Sequence, residues 1–333
     1  MTTTTIDQPA HSDAAPAVWS TAMSPSMELS DICCPYVDHG RLLQLSDARL
    51  QCQSCHREFP MVGTRPILLD ESRSLFAAAD IAALADERQF PENTGWRYFF
   101  RRLFPVALSR DLAGEVLPPR LADLGATPAV LVIGCGTTHG RYQRAFSPPV
   151  RLFLTDVTLQ GDAALVCDGE CLPFCDESID CVIVDQVLEH ALHPLRIVDE
   201  ICRCLKTGGI VFSGVPFHMP VHGFPYDFQR YTPLGHRMLY RRFEELDFQV
   251  TQGPVSAFSL TVIALCASLS DNLWWKRATS LMARVVLGPL LRMDRHFKHS
   301  RDLRIPAASL FVGRKQASEI AASDVVRRWT RAV

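Results

Sequence analysis

The residues best able to do chemistry in this chain stand at the ends of apolar runs and in the turns after them. Val130–Tyr142 reads VLVIGCGTTHGRY, a buried strand running into a turn that holds Gly134 and Gly136. Glycines in such a turn let the backbone approach a ligand closely, because no Cβ intervenes and left-handed angles cost little. Asp156 ends the next apolar run, 22 residues after Gly134. In nucleotide-binding sheets an acid about 20 residues on accepts hydrogen bonds from a ribose diol. The alternative is a strand-end aspartate that caps the next helix. Asp168, followed by Gly169, ends a third run, where a carboxylate can accept from an amino group such as that of adenine. Leu172-Pro-Phe174 is apolar and stiff, suited to the flank of a flat ring. Beyond it lie Asp185 and His190, then the segment HGFPYDFQRY with His222, Asp227, Arg230 and Tyr231. The expectation is His190 or His222 as a general base with Asp227 orienting it, and Arg230 and Tyr231 holding an anionic or hydroxylated substrate. The alternative is an Asp227–Arg230 pair that only fixes the loop, with His190 starting a helix.

Strands and helices must bring these residues together. AVLVIG, RLFLTD, DCVIVD and GIVFSGVP are short apolar runs ending in turn residues, the pattern of strands buried on both faces. Between the last two, HPLRIVDEICRCLKTGG places Leu195, Val198, Ile201, Cys202 and Leu205 at helical spacing, with Gly208-Gly209 expected to end the helix. FEELDFQV and ASLFVGRK are two later strands. Alternating strands and helices predict a doubly wound α/β sheet. Ligands of such sheets bind outside the carboxyl ends of the strands, where every residue named above falls.

The stretch LPFCDESIDCVIVDQVLEHALHPLRIVDEICRCLKTGGIVFSGVPF resembles the core of class I S-adenosylmethionine-dependent methyltransferases, of the type 11-like group. The resemblance spans roughly residues 129–255, with ASLFVGRK as the last strand. It implies a seven-stranded, mostly parallel Rossmann-like sheet whose last strand is reversed. It also implies S-adenosylmethionine as cofactor, with Gly134, Gly136, Asp156, Asp168, Gly169 and Asp185 around it. That ligand has no pyrophosphate, so Thr138 and His139 can stand before Gly140 without spoiling the turn. The family's usual acid is replaced by Val132; Asp185 or a backbone carbonyl would then meet the ammonium end. PFHMPVHGFPYDFQRYTPLGHRMLYRRF further resembles a bacterial subset that accompanies polysaccharide and surface-glycan enzymes, which points to a small-molecule, glycan or lipid-linked acceptor.

The remaining segments divide as a disordered lead over 1–30, a small β-rich module over 31–70, a helical linker over 71–126, the methyltransferase domain over 127–316 and a tail over 317–333. Pro91, Pro118 and Pro119 are expected to break the linker helices. The 31–70 module is similar to a zinc ribbon. Cys52-Gln-Ser-Cys55 has knuckle spacing, and Cys34 opens a first knuckle that Val37 leaves incomplete. Cys33 or His39 would supply the fourth ligand of a structural zinc; otherwise Leu42, Leu43, Phe59 and Ile67 hold a metal-free fold. A helical insert is expected at 256–304. Positions 251–270 carry no charge, but four serines and two threonines dilute them, so a buried helix is favoured over a span. Trp274, Trp275 and Leu281 among Lys276, Arg277, Arg284 and Arg292 suit either a membrane surface or a core-facing helix with a basic outer face.

A formal net charge of −2 gives no global attraction to nucleic acid, which is not expected as a partner. Twelve cysteines spread through strands and helices suit free thiols and a cytoplasmic setting. No signal peptide is read in MTTTTIDQPAHSD. Two further functions remain open: a non-catalytic binding or activator module that keeps the fold, and a nucleic-acid methyltransferase.

Overall fold

The computed structural model describes residues 28–36, 39–83, 105, 107, 112–137, 141–146, 150–159, 161–297 and 304–332. The expected disordered lead up to residue 27, Val37, Pro91 and Thr138-His139-Gly140 lie outside them. Eleven strands form one sheet in the order β1-β2-β3-β4-β7-β6-β5-β8-β9-β11-β10. The central strands are β5 (Ala129–Ile133), β6 (Arg151–Asp156), β7 (Leu165–Cys167), β8 (Ile179–Asp185) and β9 (Leu205–Pro216), all mutually parallel. At the far side β11 (Ala308–Lys315) inserts antiparallel between β9 and β10 (Phe243–Gln252). The result is a mixed α/β sheet of eleven strands, larger than the seven expected, in which β11 runs against its neighbours.

All five residues of β5 are buried, because helices cover both faces of the sheet. Leu131 and Ile133 join Val182 and Val184 under helix α4 (Pro194–Cys204), whereas Val130 and Val132 join Cys181 and Ile183 under α2 (Leu112–Ala122) and α3 (Arg141–Ala145). Alternation along each strand thus feeds two separate cores. Pro118 and Pro119 lie inside α2 rather than breaking it; the fully buried Leu117 and Leu121 anchor that helix to the sheet. Helix α4 ends at Cys204, earlier than expected. Leu205 already pairs with Ile179, and Gly208-Gly209 accommodates a register shift before Ile210 meets Cys181.

The 31–70 module has four strands, β1 (Leu42–Ser46), β2 (Arg49–Cys52), β3 (Glu58–Val62) and β4 (Arg65–Leu68). It is continuous with the large sheet. Ile67 and Leu68 of β4 run parallel to Val166 and Cys167 of β7, and Ile32 bridges to Phe174. Its apolar residues Leu42, Leu50 and Phe59 share a core with Phe153 and Phe174. A module of about 40 residues buries too little surface to stand alone, and docking removes that deficit. After it come α1 (Ala78–Ala83) and, past the sheet's fifth parallel strand, α5 (Pro233–Leu239).

The helical insert is present as α6 (Pro254–Ser268), α7 (Leu273–Leu287) and a 3-10 segment, Gly288–Phe297. Asp294 of that segment accepts from Val255 N, Ser256 N and Ser256 Oγ, capping α6 from outside. The C-terminal residues, expected as a tail, form helix α8 (Ala322–Ala332) instead. The Arg237 guanidinium lies 3.5 Å from the Phe248 ring centroid and 4.7 Å from that of Trp329, which ties α8 to α5.

His236 of α5 is fully buried, bonded at 3.1 Å to both Ser213 Oγ and Ser309 Oγ. Burial lowers its pKa from the ordinary 6.5 to about 3. Between those values the unfolded chain holds a proton that the folded chain does not, so stability falls as pH falls. The loss approaches a tenfold change in the folding equilibrium per pH unit, or about 3 kcal/mol by pH 4.5. Urea midpoints from pH 7 to pH 4.5 should show this slope, and His236→Gln should remove that part of it. An identical slope in the variant would contradict the assignment.

Candidate active site

The carboxyl ends of β5 to β8 surround a cleft of about 520 Å³ lined by Gly134, Gly136, Asp156, Asp168, Gly169 and His190. Five of the six residues expected around a cofactor therefore share one cavity. The turn after β5 is built for close approach. Gly134 has φ +66°, and a Cβ there would meet Val187 Cγ2 at 2.4 Å. Asp156 Oδ2 accepts from Gly136 N (2.9 Å), while Oδ1 accepts from Thr158 N (3.1 Å) and Thr158 Oγ1 (3.2 Å). The Val157 backbone amide also stabilises this carboxylate, which the cleft leaves open to a ligand on one side. Burial raises the Asp156 pKa against the pull of these hydrogen bonds.

Asp168 is 8% exposed, and its Oδ1 accepts from Glu170 N at 2.9 Å. Its Oδ2 accepts from Ser74 Oγ at 2.6 Å. Ser74 comes from the segment after the N-terminal module, and its neighbours Leu75 and Phe76 roof the cleft. The Phe76 ring packs on Tyr226, with centroids 5.3 Å apart. The flat apolar walls are thus Leu75, Phe76 and Ile197. Leu172 and Phe174, expected there, are instead fully buried in the core beside β8.

Asp185 is the sixth expected residue, and it does not line the cleft. Its carboxylate lies against Gly214 of β9, where an added Cβ would come within 2.0 Å of Oδ1. Gln186, the next residue, has φ +58° and does line the cavity. Val132 faces the α2–α3 core, on the other side of β5 from Ile133. Nothing in the sequence pattern singled out Ser74 or Gln186.

Around His190 a second cluster forms. His190 Nδ1 bonds the Tyr226 carbonyl, and His222 Nδ1 bonds the Pro220 carbonyl at 3.2 Å. The two rings meet edge to face, with centroids 5.0 Å apart. Between them lies Glu189, which the sequence pattern does not single out. Its side chain is wholly buried, and Oε1 sits 3.6 Å from His222 Nε2 and 3.8 Å from His190 Nε2. These are ion-pair distances, longer than hydrogen bonds. The Glu189 carboxylate nonetheless raises the His222 pKa.

Asp227 receives His222 N at 2.7 Å and a two-pronged contact from Arg230. The Arg230 hydrogen bonds lower the Asp227 pKa to about 2. The other donors of Arg230 go to the carbonyls of Met219, Pro220 and Gln229. Tyr231 is buried in the core and donates to Gln229 Oε1 at 2.7 Å. The residues expected to hold substrate thus shape the loop that carries His222, and neither lines the cleft.

At the N-terminal module the sulfurs of Cys34, Cys52 and Cys55 converge within 4.8 Å. Cys34 Sγ is 3.7 Å from Cys55 Sγ, and Cys52 Sγ accepts from Ser54 N and Cys55 N. A Cβ at Gly40 would stand 2.6 Å from Cys52 Sγ, so this glycine leaves room for the sulfur. Of the candidate fourth ligands, His39 turns its Nδ1 to the Cys34 carbonyl at 3.1 Å, with Cys33 Sγ 3.9 Å away. The donor set suits a soft cation but closes with three thiols rather than four.

Residues 131–213 match the family model described as a methyltransferase domain. An uncharacterized protein of Methanocaldococcus jannaschii is 32% identical over 90 residues, which is 26% of this chain and 43% of that one. Malonyl-[acyl-carrier protein] O-methyltransferase of Methylococcus capsulatus is 31% identical over 125 residues, 32% of this chain and 45% of that one. The chain thus spans less than half the length of these curated relatives. Among solved structures, phosphoethanolamine N-methyltransferase 2 of Haemonchus contortus, in complex with S-adenosyl-L-methionine, aligns at 14% identity and TM-score 0.41. The alignment covers 70% of this chain and 59% of that one.

Proposed function

We propose, from the premise that residues 131–213 are a methyltransferase domain, that the whole chain transfers a methyl group from S-adenosylmethionine to a small-molecule, glycan or lipid-linked acceptor. The observation that carries this reading is the single cleft shared by Asp156, Asp168 and the Gly134–Gly136 turn. Its volume of about 520 Å³ suits a cofactor-sized ligand. The cleft-lining carboxylate of Asp156 and the open space over Gly136 also fit the group.

Bound there, S-adenosylmethionine would supply an electrophilic methyl group. Asp156 would take a ribose hydroxyl on Oδ2. Asp168, already bound by Ser74, would border the base end beneath Leu75 and Phe76. Gly169 would let that end lie close to the backbone. Gln186, facing the cleft where Asp185 does not, would serve the amino-acid end. His190, alone among the three expected catalytic residues, lines the cleft and would face the acceptor. His222 would act beside it, and Asp227 would hold the His222 backbone in place. A zinc ion held by Cys34, Cys52 and Cys55 would brace the N-terminal module that carries the roof.

The helical insert would bring the cleft to a membrane surface. No helix among the described residues is long and apolar enough to cross a membrane. Yet α6 and α7 expose Leu265, Leu269, Trp274, Met282 and Val286, each more than half exposed. With Lys276, Arg277, Arg284 and Arg292 nearby, this suits an interfacial helix on anionic lipid. Vesicle co-sedimentation should fall at least about tenfold in a Leu269→Ser/Trp274→Ser double variant. Unchanged partitioning would remove the membrane part of the reading. The activity itself is tested by transfer of a tritiated methyl group to extracted glycans and glycolipids. Incorporation that needs the chain supports it; donor binding without incorporation into any such acceptor overturns the substrate class.

A further inference from the structure

We infer that Glu189, His190 and His222 form a binding site for a first-row divalent cation at the acceptor side of the cleft. Their ligand atoms all lie within 4.8 Å of one another. Glu189 is completely buried, and neither of its carboxylate oxygens has a hydrogen-bond partner. A buried carboxylate without hydrogen bonds is costly unless a proton or a cation answers it. Both histidines point Nε2 toward that carboxylate. Both are also fixed for the task, because Nδ1 of each faces a backbone carbonyl, Tyr226 in one case and Pro220 in the other. At His190 the carbonyl partner requires Nδ1–H, which leaves the Nε2 lone pair free to ligate; at His222 the carbonyl at 3.2 Å selects the same tautomer over Arg230 Nη2, a donor 3.4 Å from Nδ1.

The spacing agrees with this. Ligands at about 2.1 Å from a metal lie about 3.4 Å apart in tetrahedral geometry. The observed Oε1-to-Nε2 separations of 3.6 and 3.8 Å need only a small contraction. The loop packs closely on the His190 ring: a Cβ at Gly223 would strike it at 2.6 Å, so the chain passes tightly over it. Arg230 touches the cluster, with Nη2 3.4 Å from His222 Nδ1, and its charge is answered by Asp227.

Two imidazoles and one carboxylate favour zinc, manganese or ferrous iron over magnesium or calcium, which prefer oxygen. Three protein ligands leave coordination positions open. Since His190 lines the cleft, those positions face the acceptor. This role rests on the proposed methyl transfer, and it narrows the acceptor to one that offers an oxygen to the metal. The ion would acidify that oxygen, with its proton passing to solvent water.

Cobalt(II) titration of the purified full chain separates this site from the cysteine cluster, since only the latter gives intense thiolate-to-metal charge-transfer bands. The expected result is one equivalent of cobalt with weak visible bands, separate from any equivalent that the cysteine cluster takes with intense bands, and not displaced by excess magnesium. Glu189→Gln and, as a second variant on an exposed loop, His222→Asn should each weaken it at least about 100-fold while circular dichroism is unchanged. Cobalt held only through sulfur, or affinity in either folded variant within threefold of wild type, would overturn the site. Asp156→Ala should keep cobalt affinity, so failure of the metal site and failure of the methyl-donor reading give different results.

Discussion

Asp156→Ala is expected to weaken S-adenosylmethionine binding by at least about 100-fold in a calorimetric titration. Hydrogen bonds to a charged group contribute about 1.5–3 kcal/mol each, and every 1.4 kcal/mol is tenfold. The substitution removes the acceptor for the ribose. It also frees Gly136 N and both Thr158 donors, so the glycine turn loses the group that holds its shape. Asp156→Asn keeps the outline and one acceptor oxygen but turns an amide N–H toward a donor. A loss of about tenfold is expected there. Acid should mimic the alanine variant. The carboxylate is the form that accepts, and burial raises its pKa, so affinity falls with pH before an ordinary aspartate would titrate. Affinity in Asp156→Ala within threefold of wild type would contradict the ribose assignment. No heat with the wild-type chain would favour the non-catalytic module instead.

The parts of this site that were legible in the sequence are those fixed by strand ends. Asp156 and Asp168 close apolar runs, and a strand end in a doubly wound sheet has one place to be. The seven central strands follow from runs such as RLFLTD and ASLFVGRK, whose limits coincide with β6 and β11. What stayed hidden depends on distant chain segments meeting. Ser74 reaches Asp168 across 94 positions, and no local pattern encodes that contact. Glu189 reads as an ordinary polar residue until the loop carrying Phe228 and Gln229 folds over it, both backbone amides bonding its carbonyl. The 31–70 module reads as a unit too small to stand alone, but no local pattern shows that β4 joins β7 through a parallel pairing with Val166 and Cys167, about 100 residues away. Leu172 and Phe174 were misplaced for a related reason. An apolar residue after a ligand-binding aspartate fits a ring flank or a core equally well, and the residue that decides between them is Arg203.

Arg203→Ala is expected to cost about 3–5 kcal/mol of stability, the usual result of breaking a buried pair from one side. Arg203 leaves α4 and spends its donors on the Leu172-Pro-Phe174 segment. Nη2 reaches the Leu172 carbonyl at 2.9 Å and Nη1 the Phe174 carbonyl at 2.7 Å. The same guanidinium grips Glu200 at 2.7 and 3.0 Å and Asp176 at 2.8 Å. Glu200 in turn accepts from Leu172 N at 2.9 Å, so helix, carboxylate and segment form one closed network. Removing the guanidinium strands two carbonyls and a carboxylate that is only 9% exposed. Phe174 carries the strain further, since it packs on Phe153 at 5.6 Å and its backbone bridges to Ile32 of the N-terminal module. At about 2–4 °C per kcal/mol for a chain of this size, the thermal midpoint should drop by about 10 °C. Arg203→Lys restores the charge without the planar fork and should recover less than half. Arg203→Met with Glu200→Gln removes both charges, keeps an acceptor for Leu172 N, and should recover more than the lysine does. A midpoint within about 2 °C of wild type in Arg203→Ala would mean that apolar packing alone seats the segment.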